Sequence, residues 1–223
     1  MTRKDSVSFL ELTLHGHRVG FVLGYCSGRN VLTFAPEFRE NSRRPTFSLI
    51  THPEFPNAEK LLSAQWVKRQ RLHPILSNLL PEGALREMLA LGLKVHVDDE
   101  FQLLGYLGRD LPGALVVTPM AIVNVPAYVL QHQDASESVE ISFEERVHHF
   151  SLAGVQMKFS MRRQDGQYHL TESGDHGDWI VKPPSTRHKN VPLNEYSAMR
   201  LAELANVDIP EIRLVKVEKL EML

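Results

Sequence analysis

The sequence predicts an α+β fold with two β-rich parts and helices between them. Residues 8–14 alternate between polar and apolar positions, and residues 19–25 return after a turn, as in an antiparallel hairpin. The apolar residues at 72–79 then follow the spacing of one helix face. A second hairpin pattern follows at 155–171, around the turn residues Asp165-Gly166. We therefore expect a small sheet with helices packed on it, followed by an antiparallel sheet with one main helix.

Strand candidates fill the first third of the chain. His15-Gly16-His17 supplies the turn of the first hairpin. Two further runs rich in branched and aromatic residues, 31–35 and 46–51, predict strands. The charged residues 37–44 predict a loop between them.

The middle of the chain favours helices. A proline–glutamate pair at 81–82 suits the first turn of a helix that runs to Leu93. Residues 98–107 have acidic residues in front of an apolar stripe, as in a short capped helix, and 114–117 predict a short strand. We interpret the basic run 68–71 as a solvated helix face, with a patch that faces a partner or DNA as the alternative.

The last third returns to β structure. A short apolar strand at 179–182 follows the second hairpin and ends at two prolines. Asn194 is predicted to cap the next helix, and Asn206 with Pro210 is predicted to end it. Branched residues at 211–217 predict a final strand.

Composition excludes several classes of protein. The chain has 223 residues and a formal net charge of −2, so overall charge does not favour binding to nucleic acid. Its single cysteine, Cys26, excludes a disulfide-stapled scaffold and a thiolate-cluster zinc site. No apolar run approaches the roughly 18 residues of a membrane span, so we expect a cytoplasmic protein without a membrane partner.

Three features of the last third have a combined chemical use: the loop 151–160, Lys182 and Glu195. Backbone N–H groups of a loop with small residues can approach phosphate oxygens closely. A lysine on a neighbouring strand supplies a positive charge for the same phosphates. A carboxylate from the packed helix can hold that lysine in place. This order is that of the nucleotide-binding half of a protein-kinase-like fold.

Each feature also has a purely structural interpretation. Ala153-Gly154 fits the ordinary start of a hairpin, because the loop matches neither the G-x-G-x-x-G nor the Walker pattern. Lys182 is unusual in an apolar strand, but its ammonium group can reach solvent beside the prolines. Glu195 would be favoured by the helix dipole directly after an N-cap. Taken alone, these residues leave both interpretations open.

Five motifs occur in a fixed order along nearly the whole chain. They are Leu79-Leu-Pro-Glu-Gly83, Leu107-Gly-Arg-Asp-Leu-Pro-Gly-Ala114, Ser151 to Lys158, Ile180-Val-Lys-Pro-Pro184, and Asn194-Glu-Tyr196 followed by Leu201-Ala202. Together they resemble landmarks of the HipA family of toxin kinases. The resemblance implies a HipA N-terminal subdomain at 1–118, a connection at 119–140 and a kinase N-lobe at 141–223.

The resemblance also implies an activity and its site residues. HipA-like proteins are ATP-dependent serine/threonine kinases, which implies binding of ATP with Mg²⁺. By similarity, the phosphate-binding segment consists of Ala153, Gly154, Val155, Gln156, Met157 and Lys158. Lys182 then corresponds to the ATP-binding lysine, and Glu195 to the residue that positions it. Ser151 corresponds to the loop serine that the family autophosphorylates, where about −1.5 to −2 added charges would repel nucleotide phosphates.

The same resemblance implies partners. HipA-like toxins are restrained by HipB, a small helix-turn-helix antitoxin. Toxin and antitoxin sit together on operator DNA, so we expect DNA contact mainly through the antitoxin. The protein substrate implied by the resemblance is an aminoacyl-tRNA synthetase.

The resemblance stops before the catalytic lobe of the family. The family's aspartate base, its asparagine and its metal-binding aspartate have no counterpart after Lys182. We therefore expect this chain to be the N-terminal half of such a kinase, without appreciable phosphoryl transfer by itself. Two alternatives stay open: a non-catalytic module that docks on a separate kinase or antitoxin, and a plain nucleotide binder.

Overall fold

The computed structural model describes residues 6–130, 137–138, 158–171, 177–185, 188–217 and 220–222. The chain divides into two compact units. Unit 1 comprises Met1–Leu80 and Arg86–Arg146, and unit 2 comprises Pro81–Leu85 and Val147–Leu223. Helices and mainly antiparallel strands occur in both, which confirms the predicted α+β class.

The first part of the chain consists of strands and mostly short helices. In order, they are β1 (Ser6–Leu14), β2 (His17–Tyr25), β3 (Arg29–Phe34), α1 (Pro36–Arg39), α2 (Ala58–Ser63), β4 (Trp66–Arg69), α3 (Pro74–Ser77), α4 (Gly83–Leu93), α5 (Glu100–Leu107), β5 (Leu115–Met120), α6 (Ala127–Leu130) and β6 (Glu137–Ser138). The sheet has the order β4-β3-β2-β1-β5, and β6 pairs with β1 in parallel. The predicted first hairpin is confirmed, and His15 and Gly16 both have positive φ, as a tight two-residue turn requires.

The sheet of unit 1 is buried on both faces. On one face, Val7, Phe9 and Phe21 pack with Val125 and Val129, which lie just before and within α6. These two valines belong to the stretch 119–140, so this part of the expected connection packs on the sheet. On the other face, the ring of Phe101 in α5 lies so close to Gly24 that a Cβ there would be 2.5 Å from it.

The strand predicted at 46–51 is wrong. Leu49–Thr51 form a single 3₁₀ turn, and the hydroxyl of Thr51 donates to the carbonyl of Ser48 at 2.7 Å. The Nε of Arg44 donates to the Thr51 carbonyl at 2.8 Å. Such local bonds from side chains occupy backbone groups that a strand would offer to a neighbour.

Two expectations for the middle of the chain also change. The basic run 68–71 is not on a helix, because Trp66–Arg69 form β4 and pair with β3. The helix predicted over 72–79 is reduced to the single turn α3. Proline is tolerated only in the first turn of a helix, so Pro74 prevents the helix from starting earlier.

Tyr128 in α6 gives unit 1 an alkaline sensitivity. Its hydroxyl is buried without a hydrogen-bond partner among the described residues. Burial, with a smaller contribution from Glu37, raises its pKa to about 12, from about 10 in an unfolded chain. The folded state therefore binds this proton more tightly. The resulting stability is complete below about pH 10 and is lost as the pH rises through about 12.

We expect Tyr128→Phe to be neutral or slightly stabilising at pH 7, because the variant removes a hydroxyl that lacks a partner. Between pH 10 and 12 the wild-type chain should lose unfolding free energy faster than the variant. Urea unfolding at several pH values measures both slopes. An equal pH dependence of the unfolding free energy in wild type and variant would contradict the raised pKa of Tyr128.

Unit 2 is built on a small antiparallel sheet. Its described elements are β7 (Phe159–Gln164), β8 (Gln167–Leu170), β9 (Trp179–Val181), α7 (Val191–Leu204), β10 (Val215–Val217) and β11 (Leu220–Met222). The strand order is β8-β7-β9, and β10 pairs with β11. The second hairpin is confirmed, with positive φ at Asp165 and Gly166. Within the predicted strand 211–217, only Val215–Val217 are extended as β10.

The cap predicted at Asn194 is wrong. Helix α7 begins at Val191, four residues earlier than a cap at Asn194 predicts, and Asn190 precedes it with a φ of 58°. Pro192 explains the earlier start, because its fixed φ and missing N–H favour the first turn of a helix. Glu195 therefore lies in the second turn, where the helix dipole explains its presence less well.

Candidate functional site

Unit 2 brings Lys182 and Glu195 together. The Nζ of Lys182 forms an ion pair and hydrogen bond with Oε1 of Glu195. The two side chains are 24% and 32% exposed, so both charges are partly removed from water. A partly buried lysine needs such a counterion, because an unpaired charge there would be costly. The pair thus fixes the ammonium group at one place in the unit.

Two elements position this pair. Strand β9 pairs with β7, with Val181 opposite Phe159, and Lys182 follows directly after it. Pro183-Pro184 then prevents the strand from continuing the ladder. Glu195 projects from α7 toward the same point. The two residues are 13 positions apart in the sequence.

A cavity of about 590 Å³ adjoins the ion pair. Its walls are mainly apolar and come from the sheet, from α7 and from the segment before β10. The apolar and aromatic members include Phe159, Met161, Tyr168, Trp179, Val181, Met199, Pro210, Ile212 and Val215, and the charged members are Asp178, Lys182, Glu195, Glu211 and Arg213. The cavity therefore combines space for an apolar group with an ammonium group that Glu195 holds at its edge.

Aromatic and cationic contacts hold one wall of this cavity. The rings of Tyr168 and Trp179 meet edge to face with centroids 5.7 Å apart. The guanidinium of Arg213 lies 5.4 Å from the Trp179 ring centroid, and its Nε donates to Glu211 at 2.8 Å. The cation–π contact and the ion pair together orient the arginine. Electrostatic contacts therefore stabilise this wall in addition to van der Waals packing.

The structure describes only part of the predicted site. Lys182 and Glu195 meet, and Lys158 lies half-buried directly before β7. Ser151 and the segment 153–157 lie outside the described residues. The cavity wall formed by Trp179, Met199 and Ile212 was missed. These residues fit ordinary strand and helix patterns, and no sequence signal indicated that they share a cavity.

No metal centre is evident in the part of the chain that the structure describes, since no three His, Cys, Asp or Glu side chains cluster there. The described helices also include none that is long and apolar enough to cross a membrane.

Two family models match the chain one after the other. The HipA N-terminal domain matches residues 10–118, and the HipA-like C-terminal domain matches residues 150–223. The chain belongs to the HipA family. The predicted resemblance is thereby confirmed, over most of the chain and in the order in which the motifs occur.

Two curated relatives are similar to most of this chain. A candidate kinase of Sinorhizobium fredii, Y4dM, is 35% identical over 215 residues, which cover 95% of this chain and 50% of the relative. The serine/threonine-protein kinase toxin HipA of Shewanella oneidensis is 25% identical over 214 residues, covering 92% of this chain and 47% of the toxin. The chain spans about half the length of these relatives.

A solved structure shares the fold. It is the complex of HipA, HipB and operator DNA from Shewanella oneidensis MR-1, with a TM-score of 0.57 and 18% identity. The match covers 96% of this HipA-family chain and 49% of the solved chain. At this identity the similarity shows the fold alone, and it agrees with the predicted fold class.

Proposed function

We propose that unit 2 is the ATP-binding half of a HipA-like serine/threonine protein kinase. One observation carries this proposal: the Lys182 ammonium is held by Glu195 at the edge of an apolar cavity. In the proposed role, Lys182 binds nucleotide phosphates as a point charge. The adjoining cavity has apolar walls for the uncharged part of the nucleotide.

Glu195 acts as a positioning residue in this proposal. A lysine has a long flexible stem, so a free ammonium group samples many positions. The ion pair with Glu195 restricts those positions before any ligand binds. We further propose that Ala153 to Lys158 supply backbone N–H groups to the same phosphates, and that phosphorylation of Ser151 opposes nucleotide binding through its negative charge.

The function of the whole protein is proposed from its relatives. One of them is named a serine/threonine-protein kinase toxin, and a solved HipA was crystallised with HipB and operator DNA. We infer a toxin of a toxin–antitoxin module that uses ATP with Mg²⁺ and is restrained by a HipB-like antitoxin. Contact with operator DNA would then run mainly through the antitoxin. The proposed protein substrate is an aminoacyl-tRNA synthetase.

Calorimetric titration of the 223-residue chain with ATP and Mg²⁺ tests the nucleotide site. Lys182→Ala should weaken binding about ten- to a hundred-fold, because a charge-assisted contact to phosphate is lost. Glu195→Gln should weaken binding less, about two- to five-fold. The lysine keeps its charge in this variant and loses only the partly exposed ion pair that restrains it.

Lys189→Ala is the matched control, since Lys189 is an exposed lysine of the same unit that lies outside the cavity. It should bind ATP like the wild-type chain. Equal affinities of wild type and Lys182→Ala would contradict the proposed site.

A second candidate is a docking module without chemistry. Three apolar side chains favour it: Leu201 and Leu204 of α7 and Val207 directly after the helix are all exposed. Such residues suit contact with another protein surface. ATP binding that depends on Lys182 supports the kinase proposal, whereas a chain that binds antitoxin but no ATP supports this alternative.

A further inference from the structure

The basic run 68–71 lies on an edge of the unit 1 sheet. It has no role in the proposed nucleotide site, which belongs to unit 2. We propose that the β4 edge, defined as residues 66–71, docks an acidic, extended peptide segment by adding it as a further strand. The inference goes beyond the proposed function and rests on unit 1 alone. It depends on the backbone groups and the charges that this edge presents.

The backbone of β4 has unused hydrogen-bonding groups. The N–H of Gln70 donates to the carbonyl of Gly28 at 2.7 Å, which makes these residues a bonded pair. Bonded pairs recur at every second residue of an antiparallel ladder. Lys68 therefore bonds toward β3, where it lies opposite Asn30, while Val67 and Arg69 direct their backbone groups outward.

Nothing in the described part of the chain pairs with this outer side. β4 ends the strand order of the sheet, and Val67 is 54% exposed. The carbonyl of Arg69 already accepts from the N–H of Arg71 at 2.7 Å. The N–H and carbonyl of Val67 and the N–H of Arg69 therefore remain for an added strand. The N–H and the carbonyl of Val67 can pair with the carbonyl and the N–H of one residue of an added peptide strand.

Positive charges surround these groups. Lys68 and Arg69 are exposed, and Arg69 lies directly opposite Arg29, whose guanidinium sits 4.0 Å from the Tyr25 ring centroid. Carboxylates on an added strand would place opposite charges beside the exposed side chains of β4. Within the described residues, the carboxylate of Asp98 accepts from the largely exposed Arg71 at 3.2 Å.

The same charges argue against other occupants. Lysine on an edge strand discourages pairing with neutral strands, and two copies of this basic edge would repel each other. A nucleic acid would gain from the charges, but its phosphate backbone only accepts hydrogen bonds and provides no regularly spaced donor and acceptor to match those of Val67. An acidic extended peptide satisfies both the charges and the backbone groups.

Fluorescence anisotropy can test this with a labelled octapeptide that alternates glutamate and valine. The wild-type chain should bind it at low salt and bind the glutamine–valine peptide more weakly. Lys68→Gln/Arg69→Gln should weaken binding about two- to fivefold, the loss expected for an exposed charge pair, because the glutamates of an alternating peptide lie on one face and meet either Lys68 or Arg69. The control Arg43→Gln/Lys94→Gln makes the same charge change at exposed positions outside the edge and should bind as the wild type does.

Two further measurements test the backbone contacts. Val67→Pro removes an outward N–H at a position where an edge strand tolerates proline, and should weaken binding about two- to tenfold. Independently of any protein variant, an octapeptide with alternate backbone N-methylation should lose binding.

Several results would overturn the proposal. One is no binding of the glutamate–valine peptide in about 10 mM salt, where charges are screened only over about 30 Å. The others are unchanged binding of the N-methylated peptide and equal effects of the edge and control variants. Oligo(dT) binding that depends on Lys68 and Arg69 but ignores Val67→Pro, without peptide binding, would identify a nucleic-acid surface instead.

Discussion

Replacing Glu100 by alanine is expected to lower the free energy of unfolding by about 3–5 kcal/mol, the loss typical of breaking a buried ion pair. The Glu100 side chain is 1% exposed and pairs with Arg86, whose Nη2 donates to it at 2.8 Å. Its carboxylate also accepts from the N–H of Leu72 at 2.6 Å and the hydroxyl of Ser77 at 2.9 Å.

The size of this effect follows from what the variant leaves behind. The Arg86 guanidinium, only 14% exposed, would lose its counterion, and the Leu72 N–H would stay buried without an acceptor. Both groups then pay a desolvation cost without compensation. The network joins α4 and α5 to the segment before α3, so its loss affects three parts of unit 1 at once.

Urea unfolding followed by circular dichroism measures this change. The control is Glu54→Ala, because Glu54 is an exposed glutamate and its removal should change stability by less than about 0.5 kcal/mol. Glu100→Gln should fall between the two, since the amide keeps one acceptor but loses the charge. If Glu100→Ala lowered the free energy of unfolding by less than about 1 kcal/mol, the loss would lie well below that of a broken buried ion pair. The network would then contribute little to stability.

Gly108→Ala is expected to cost about 2–3 kcal/mol, in the upper part of the range for overpacking. A Cβ at this position would lie 2.0 Å from the carbonyl oxygen of Val117 and 2.8 Å from its Cβ. The obstacle is backbone in β5 and cannot rotate away. The φ of Gly108 is −57°, so the close approach, and not an unusual conformation, requires glycine here.

Gly92→Ala is the matched control for this prediction. A Cβ at Gly92 meets nothing within 4 Å, and the residue lies inside α4. Alanine there should raise stability by about 0.5–1 kcal/mol, because glycine is a poor helix former. Opposite signs for the two variants in the same unfolding assay are the expected result. A neutral Gly108→Ala would mean that β5 can move away from the end of α5.

The contrast between residues 46–51 and 98–107 shows where sequence patterns succeed. Both segments have apolar residues at suitable spacing, but only the second became the expected element, α5, with Asp99 accepting from the N–H of Gln102 as its cap. Its cap and its helix bonds close within four residues. The strand at 46–51 needed a neighbouring strand, and Arg44 with Ser48 occupied its backbone groups instead.

The candidate site shows the same division. The order of strand lysine and helix glutamate predicted that Glu195 holds Lys182, but the cap predicted at Asn194 placed the glutamate wrongly within its helix. The contact itself depends on the packing of β9 and α7, which brings the two side chains into an ion pair. The cavity walls at Met199 and Ile212 come from elements that no local pattern relates to each other.

By itself, the sequence determined the two hairpins, α4, α5 and the order of the family motifs. These features depend on turn residues, caps and periodicity, which act between positions a few residues apart. Only the tertiary structure decided that Glu100 binds Leu72 and Arg86, that the basic run lies on a sheet edge, and that an apolar cavity adjoins Lys182. Those outcomes depend on which distant elements share a core, and packing between distant segments leaves no regular spacing in the chain.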